Sequence, residues 1–264
     1  MLHSLIVADK IGVTPGLAPL TPRSIVLSVL LGTHPPQMPV RRILEFTSLF
    51  GISDGTVRTA LSRMVASGEL HGDDGVYALT GRLLERQVQQ DTGRSGPPAA
   101  WDGTWWLAAV VAERRSVADR RSFRSRVEGA RLGELRPDLW LRPANIDVPT
   151  DLPGVVLTRG PLYTGDAIEM TRQLWDLDAL RRSAAGQVAE LDDADRELAG
   201  GEHRALATTF VTLAACQRFL RTEPQLPVAL WPDATSTTVR HRYAAVVDRF
   251  QRQLAGFFAD RSGR

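Results

Sequence analysis

The sequence predicts an α+β chain divided into several domains, and three observations carry that prediction. Apolar residues recur at helical spacing in three short segments between Thr21 and Gly68. Strand-like segments bounded by turn sequences follow as far as Thr158, interrupted by a breaker-rich stretch at 91–100. From Asp166 to the end the spacing is helical again. With 264 residues, 43% of them hydrophobic, and 6 tryptophans, the chain has enough material for two or three domains with real cores.

Residues 1–20 read as a loosely attached arm. Asp9 and Lys10 interrupt a weakly apolar stretch that lacks the basic start and clean apolar core of a signal peptide. No later run approaches the roughly 20 apolar residues that span a bilayer. Cys216 is the single cysteine, which excludes an internal disulfide and fits a reducing compartment. A soluble, cytoplasmic protein is expected. Lys10 is the only lysine, the net charge is +2 and the pI is near 9.1. That balance permits a polyanionic partner without demanding one.

Thr21-Pro22 is a helix start, a cap followed by proline at the first helical position, and Ile25–Leu31 continue it to Gly32. Residues 33–39, with three prolines, read as a loop. A second helix is expected from Val40 to Phe50, with Val40, Ile43, Leu44 and Leu49 inward and Arg41, Arg42 and Glu45 outward. Gly51 allows a tight turn into a third, capped by Ser53 or Asp54 and ended by Gly68. At about 100° per residue, Val57, Ala60, Leu61, Met64 and Val65 share an arc of roughly 140°. The remaining arc carries Thr56, Arg58, Thr59, Ser62 and Arg63 and no carboxylate. Short hydroxyls and guanidinium forks are the groups that hydrogen-bond base edges and phosphates in a DNA groove. A helix face that is merely solvated is the plainer alternative, and the surroundings decide against it. The last two helices have helix-turn-helix spacing. Glu69–His71 and Val76–Leu79 then form a hairpin around Gly72-Asp73-Asp74-Gly75, the wing of a winged helix. Thr80 caps a further helix to Gln90, and the breaker-rich 91–100 closes an N-terminal domain at 21–95.

A central domain at 96–165 opens with a buried strand from Trp105 to Val111. A helix over 116–131 follows, with Phe123, Val127 and Ala130 on one side, then strands at Leu139–Leu141 and Val155–Thr158. Strand, helix, strand, strand suggests a small ferredoxin-like α+β unit. Between Arg114 and Arg131 stand 7 arginines against Asp119 and Glu128, and Arg120, Arg124 and Arg131 are expected to project together. They form either an anion pocket, for a phosphate-bearing effector or the DNA backbone, or a solvated helix face. Residues 166–264 form a C-terminal α-helical domain, with helices expected at 166–182, 187–199, 202–221 and 236–260.

In this order the winged helix, Trp101-Asp102-Gly103-Thr104-Trp105, Leu141-Arg142-Pro143-Ala144-Asn145, Leu174–Leu180 and a Pro-Gln-Leu-Pro beginning at residue 224 resemble the PaaX family of bacterial transcriptional regulators. The founding members of that family repress phenylacetate catabolism. The resemblance spans residues 20–255 and implies a central domain related in fold to small CRISPR-associated nucleases. It also implies a homodimer on an inverted-repeat DNA operator, relieved by a small-molecule effector such as an acyl- or aryl-CoA thioester. Carried over by position, Thr56, Arg58, Thr59, Ser62 and Arg63 would read DNA, and Arg41 or Arg42 would contact phosphate. Three features depart from the family pattern. The wing tip is Asp73-Asp74, so the wing is expected to add little affinity. The span from Asn145 to Val155 is short for a second central helix. The arm is additional.

Catalytic readings find little support. His203 and Cys216 are 13 residues apart on or near one helix, hence about 20 Å apart along it, and Cys216 reads as a buried structural thiol. No histidine is paired at helical spacing and one cysteine completes no zinc cluster, so neither metal nor cofactor is expected. A metal-dependent nuclease would need carboxylates after the first central strand, where Glu113 stands alone among arginines. Trp101, Trp105, Trp106 and Trp140 read as core rather than as a stacking platform for an aromatic effector. The expectation is a DNA-binding repressor, not an enzyme. The alternatives are a nuclease-like central domain and a protein-interaction module without specific DNA binding.

Overall fold

Three helices and a three-stranded antiparallel sheet begin the computed structural model, which describes residues 21–96, 100–111, 123–124, 126–150, 152, 154–233 and 235–262. The expected arm at 1–20 lies outside these residues. Helix α1 (Pro22–Leu31) starts in a capping box: the Thr21 hydroxyl accepts from Ser24 N, and the Ser24 hydroxyl accepts from Thr21 N. Ile25, Val26 and Leu30 of this helix are fully buried. The proline-rich stretch expected as a loop contains β1 (Gln37–Pro39), which pairs antiparallel with β3, Met38 opposite Tyr77. Proline is tolerated there because β1 is an edge strand in the order β1-β3-β2.

Helix α2 (Val40–Ser48) buries Ile43, Leu44, Phe46 and Thr47. Glu45, expected outward, is largely covered instead. Helix α3 (Asp54–Ala66) is capped by the Ser53 hydroxyl and followed by Gly68 in the left-handed region at φ +71°. Val57, Leu61 and Met64 form its buried stripe, while Val65, expected inward, is 40% exposed. The apolar arc is narrower than sequence periodicity suggested, and Val65 falls just beyond its edge. Strands β2 (Leu70–Asp73) and β3 (Val76–Leu79) pair through a two-residue turn, Asp74-Gly75, with φ +44° and +73°. Two positive φ values are what the tightest hairpin turn requires.

Helix α4 (Arg82–Ser95) runs through the first half of the expected linker. Gly93 is helical because a close approach needs it: a Cβ there would sit 2.9 Å from the Leu220 carbonyl oxygen. The second sheet comprises β4 (Thr104–Val110), β5 (Gly133–Arg136), β6 (Leu139–Pro143) and β7 (Val155–Pro161) in the order β5-β6-β4-β7, every neighbouring pair antiparallel. β5 was not foreseen, since Gly-Glu-Leu-Arg carries neither a β-branched nor an aromatic residue. Helical residues 123–124 and 126–129 lie between β4 and β5, and no helix occurs among the described residues between β6 and β7. One face of the sheet packs Ala108, Phe123, Val127 and Trp140, and the other packs Trp105, Leu141, Leu174 and Leu230.

Four helices follow: α5 (Ala167–Leu174), α6 (Leu177–Ala199), α7 (Arg204–Thr222) and α8 (Thr235–Ser262). The break between the first two comes at Trp175-Asp176, earlier than expected, where the Asp176 carboxylate accepts from Ala179 N at 2.8 Å. The described residues form two compact units. One contains those up to Thr92 together with Ala189–Gln217 and those from His241 onward. The other contains those of Gly93–Val188 and Arg218–Arg240. The C-terminal helices, expected as one domain at 166–264, are thus shared between the two. Within the first unit, Phe46 of α2 and Phe50 just beyond its end meet Phe210 edge-on at 4.9 and 5.6 Å.

Candidate nucleic-acid interface

The buried stripe Val57, Leu61 and Met64 fixes the rotation of α3 about its own axis and so determines which residues it presents. Thr56, Arg58, Thr59, Ser62 and Arg63 are all exposed on the opposite side. The Thr56 hydroxyl lies 2.8 Å from that of Ser53, and the Thr59 hydroxyl donates to Gly55 O at 2.9 Å. These bonds secure the first turn and leave acceptor lone pairs facing outward. Arg58 and Arg63 have no ion pair among the described residues. Two grooves flank the helix. The larger, of about 770 Å³, runs between α3 and the start of α1 past Arg23, Thr56, Thr59, Arg63 and Glu69. The smaller, of about 290 Å³, separates Ser62 and Val65 from the hairpin turn, whose Asp73 and Asp74 are exposed.

Arg41 and Arg42 are placed differently from the expectation. Arg41 pairs with Glu45 at 2.9 Å and donates to the Arg261 carbonyl at 3.0 Å. Arg42 pairs with the same carboxylate at 3.2 Å, donates to Phe258 O at 2.8 Å and stacks on the Phe258 ring. Both guanidiniums cap the last turn of α8, where unsatisfied carbonyls and the helix dipole favour cations. In these contacts the Arg41 side chain stays 62% exposed and that of Arg42 33%.

Of the three arginines expected to project together, two fall among the described residues. Arg120 lies outside them. Arg124 pairs with Glu134 at 2.8 Å and lies 5.5 Å from the Trp140 ring. Arg131 follows the end of the helical segment at φ +56° and is buried, donating to Glu223 O at 2.9 Å and Leu220 O at 3.1 Å. Burial pushes its pKa down to about 10. The left-handed residue turns Arg131 inward, away from the helix face that carries Arg124. Trp105 and Trp140 are core residues. Cys216 is buried, and His203 is exposed beside Asp260 at 3.9 Å. No group of three metal-ligating residues occurs among the described residues, and Glu113 lies outside them.

Comparison with known proteins joins this geometry to a family. The PaaX-like family model matches residues 21–83, which comprise the three helices, the hairpin and the start of α4. A solved structure of the uncharacterized protein Rv0674 from Mycobacterium tuberculosis is similar, with 30% identity, a TM-score of 0.71 and coverage of 90% of this chain and 98% of that one. The chain belongs to the PaaX-like family. Among curated proteins none matches. The PaaX-like family is generally regulatory. No helix among the described residues is long and apolar enough to cross a membrane.

The PaaX-like motifs outside residues 21–83 hold structure together. Asp102 accepts from Thr104 N at 2.9 Å and from Arg159 at 2.6 Å, tying the Trp-Asp-Gly-Thr-Trp turn to β7. Its carboxyl is held below the usual range chiefly by the Thr104 hydroxyl. Arg142 is fully buried, and its guanidinium donates to Asn145 Oδ1 at 3.0 Å and to the carbonyls of Pro143, Ala130 and Pro224. Asn145 in turn donates to Gln225 O at 2.7 Å. Arg-Pro-Ala-Asn and Pro-Gln-Leu-Pro thus meet in one buried polar cluster. Sequence reading saw both motifs without seeing that they touch.

Proposed function

We propose that this PaaX-like chain is a sequence-specific DNA-binding transcriptional regulator, a repressor of a catabolic operon. It binds an inverted-repeat operator as a homodimer and is released by a small effector of the acyl- or aryl-CoA class. The observation that carries the reading is the exposed face of α3 between Thr56 and Arg63, with two guanidiniums, three hydroxyls and no carboxylate. Residues 21–95 serve as a winged helix-turn-helix: α2 and α3 are the helix pair, α3 reads the major groove, and β2–β3 is the wing. The strand order of the second sheet, with β6 between β4 and β5, supports a ferredoxin-like reading of 96–165 with no second helix among the described residues. Residues 166–264 supply the helices for dimerisation.

Phosphate contacts set the register of such a protein on DNA, and base-edge contacts specify sequence. Each good guanidinium or hydroxyl pairing with a base contributes about 1–3 kcal/mol of discrimination. A single half-site binds weakly, and two-fold pairing doubles the contacts. The exposed Asp73 and Asp74 keep the wing tip off the phosphates, so α3 carries most of the recognition. The effector acts by population shift, favouring a dimer geometry that no longer matches successive grooves. Its class is the one that the family resemblance implies. Arg58→Ala and Arg63→Ala, each compared with wild type by fluorescence anisotropy on operator and scrambled duplexes, should each lose roughly 10-fold or more of operator preference. Oligomeric state and melting temperature should hold. Unchanged preference in both variants contradicts the reading.

A further inference from the structure

The larger groove beside α3 contains one more cation than the recognition face needs. Arg23, near the start of α1, lines it together with Thr56, Thr59 and Arg63 of α3 and with Glu69. Its guanidinium meets the Glu69 carboxylate with both prongs: Nε donates to Oε2 at 3.0 Å and Nη2 bonds Oε1. The Arg23 side chain is 54% exposed. We infer that this groove seats one strand of the operator's sugar–phosphate backbone, and that Arg23 is a phosphate ligand held on Glu69 until DNA arrives.

The inference rests on the DNA-binding reading of α3 and adds a residue and a control to it. A phosphate offers a guanidinium the same pair of oxygens as a carboxylate does, so the exchange costs no change of bonding geometry. An ion pair this open to water is worth little, so it yields readily to a doubly engaged phosphate. Glu69 cannot follow. Its N–H is fastened to Met64 O at 2.9 Å and its carbonyl accepts from Thr80 N at 3.2 Å, which fixes it at the end of α3. From that fixed backbone the carboxylate still borders the groove and opposes every duplex alike. Glu69 lowers affinity for all DNA without altering sequence preference, and it keeps non-specific binding weak while Arg58 and Arg63 discriminate.

The test is the salt dependence of binding by the full chain, read by anisotropy on its selected operator and on a random-sequence duplex between 50 and 200 mM salt. Each phosphate contact adds about 0.9 to the slope of log K against log salt. Arg23→Ala should lower the slope by about 0.9 on both duplexes, a loss across that range roughly 3.5-fold smaller than wild type. Arg23→Lys should keep the slope. Glu69→Gln should tighten both duplexes alike, and adding Arg23→Ala to it should bring binding to a level between those of the two single variants. Circular dichroism melts show that each variant is folded, and Arg23→Lys tests the charge if Arg23→Ala does not fold. An unchanged slope in Arg23→Ala, with Arg63→Ala still weakening the operator, overturns the role of Arg23 and leaves the DNA reading standing. Indifference to Arg23→Ala and Arg63→Ala together removes both.

Discussion

Arg142 shows how far one buried charge can organise a fold. The residue is 0% exposed and its guanidinium has no carboxylate against it among the described residues. Burial, with Arg131 nearby, pushes its pKa down to about 9, which still leaves it charged at pH 7. The charge is spread over carbonyl dipoles and Asn145 Oδ1, which would otherwise be buried acceptors without donors. Arg142→Ala should therefore cost about 3 kcal/mol or more, read as a lower urea midpoint, because it leaves those oxygens unpaired. Arg124→Ala, which breaks a pair that is 56% exposed on the arginine side, should cost under about 1 kcal/mol in the same melts. Equal costs would contradict this account. The α3 residues Thr56, Arg58, Thr59, Ser62 and Arg63 were legible because exposure follows from helical period and a missing carboxylate is visible in a string of letters. Arg142 was legible only as part of a motif. Nothing local distinguishes an arginine that donates to carbonyls 82 residues away from one that meets water.

Among elements, those with strong local signals appeared where expected. Thr21-Pro22 opens α1, and Asp74-Gly75 closes the hairpin. The misreadings share one cause, which is that a residue's propensity was overridden by what packs against it. Pro39 ends an edge strand, and Gly93 sits inside α4 because a carbonyl of α7 comes too close for any side chain. Two glycine substitutions separate propensity from packing. Gly186, exposed in α6, has nothing within 4 Å of a built Cβ, so Gly186→Ala should stabilise by about 0.5–1 kcal/mol. At Gly93 the same helix gain of about 1 kcal/mol is opposed by a backbone oxygen 2.9 Å away, and Gly93→Ala should destabilise by about 1–3 kcal/mol. Thermal melts of the two variants should move in opposite directions. Stabilisation by both would mean that Gly93 is a breaker after all.

For the whole molecule, sequence periodicity gave the kinds of element and most of their order, but not their partners. Residues 166–264 read as a separate helical domain because helical spacing is continuous there. The folded chain divides α6, α7 and α8 between two units, and such long-range association leaves no period in the sequence. Strand β5, on the edge of the order β5-β6-β4-β7, was likewise invisible, since its residues carry no strand pattern of their own. What joins the scales is the presentation of α3: a buried stripe fixes its rotation, the hairpin and α1 flank it with grooves, and its exposed side is left to cations and hydroxyls. The most direct test of the claim that this side reads DNA is selection of genomic fragments by the purified full-length protein at physiological salt, followed by footprinting of the best fragment. The account predicts a protected inverted repeat with half-sites one helical turn apart, or a multiple of it. Binding that is sequence-blind and lost on adding salt would contradict it.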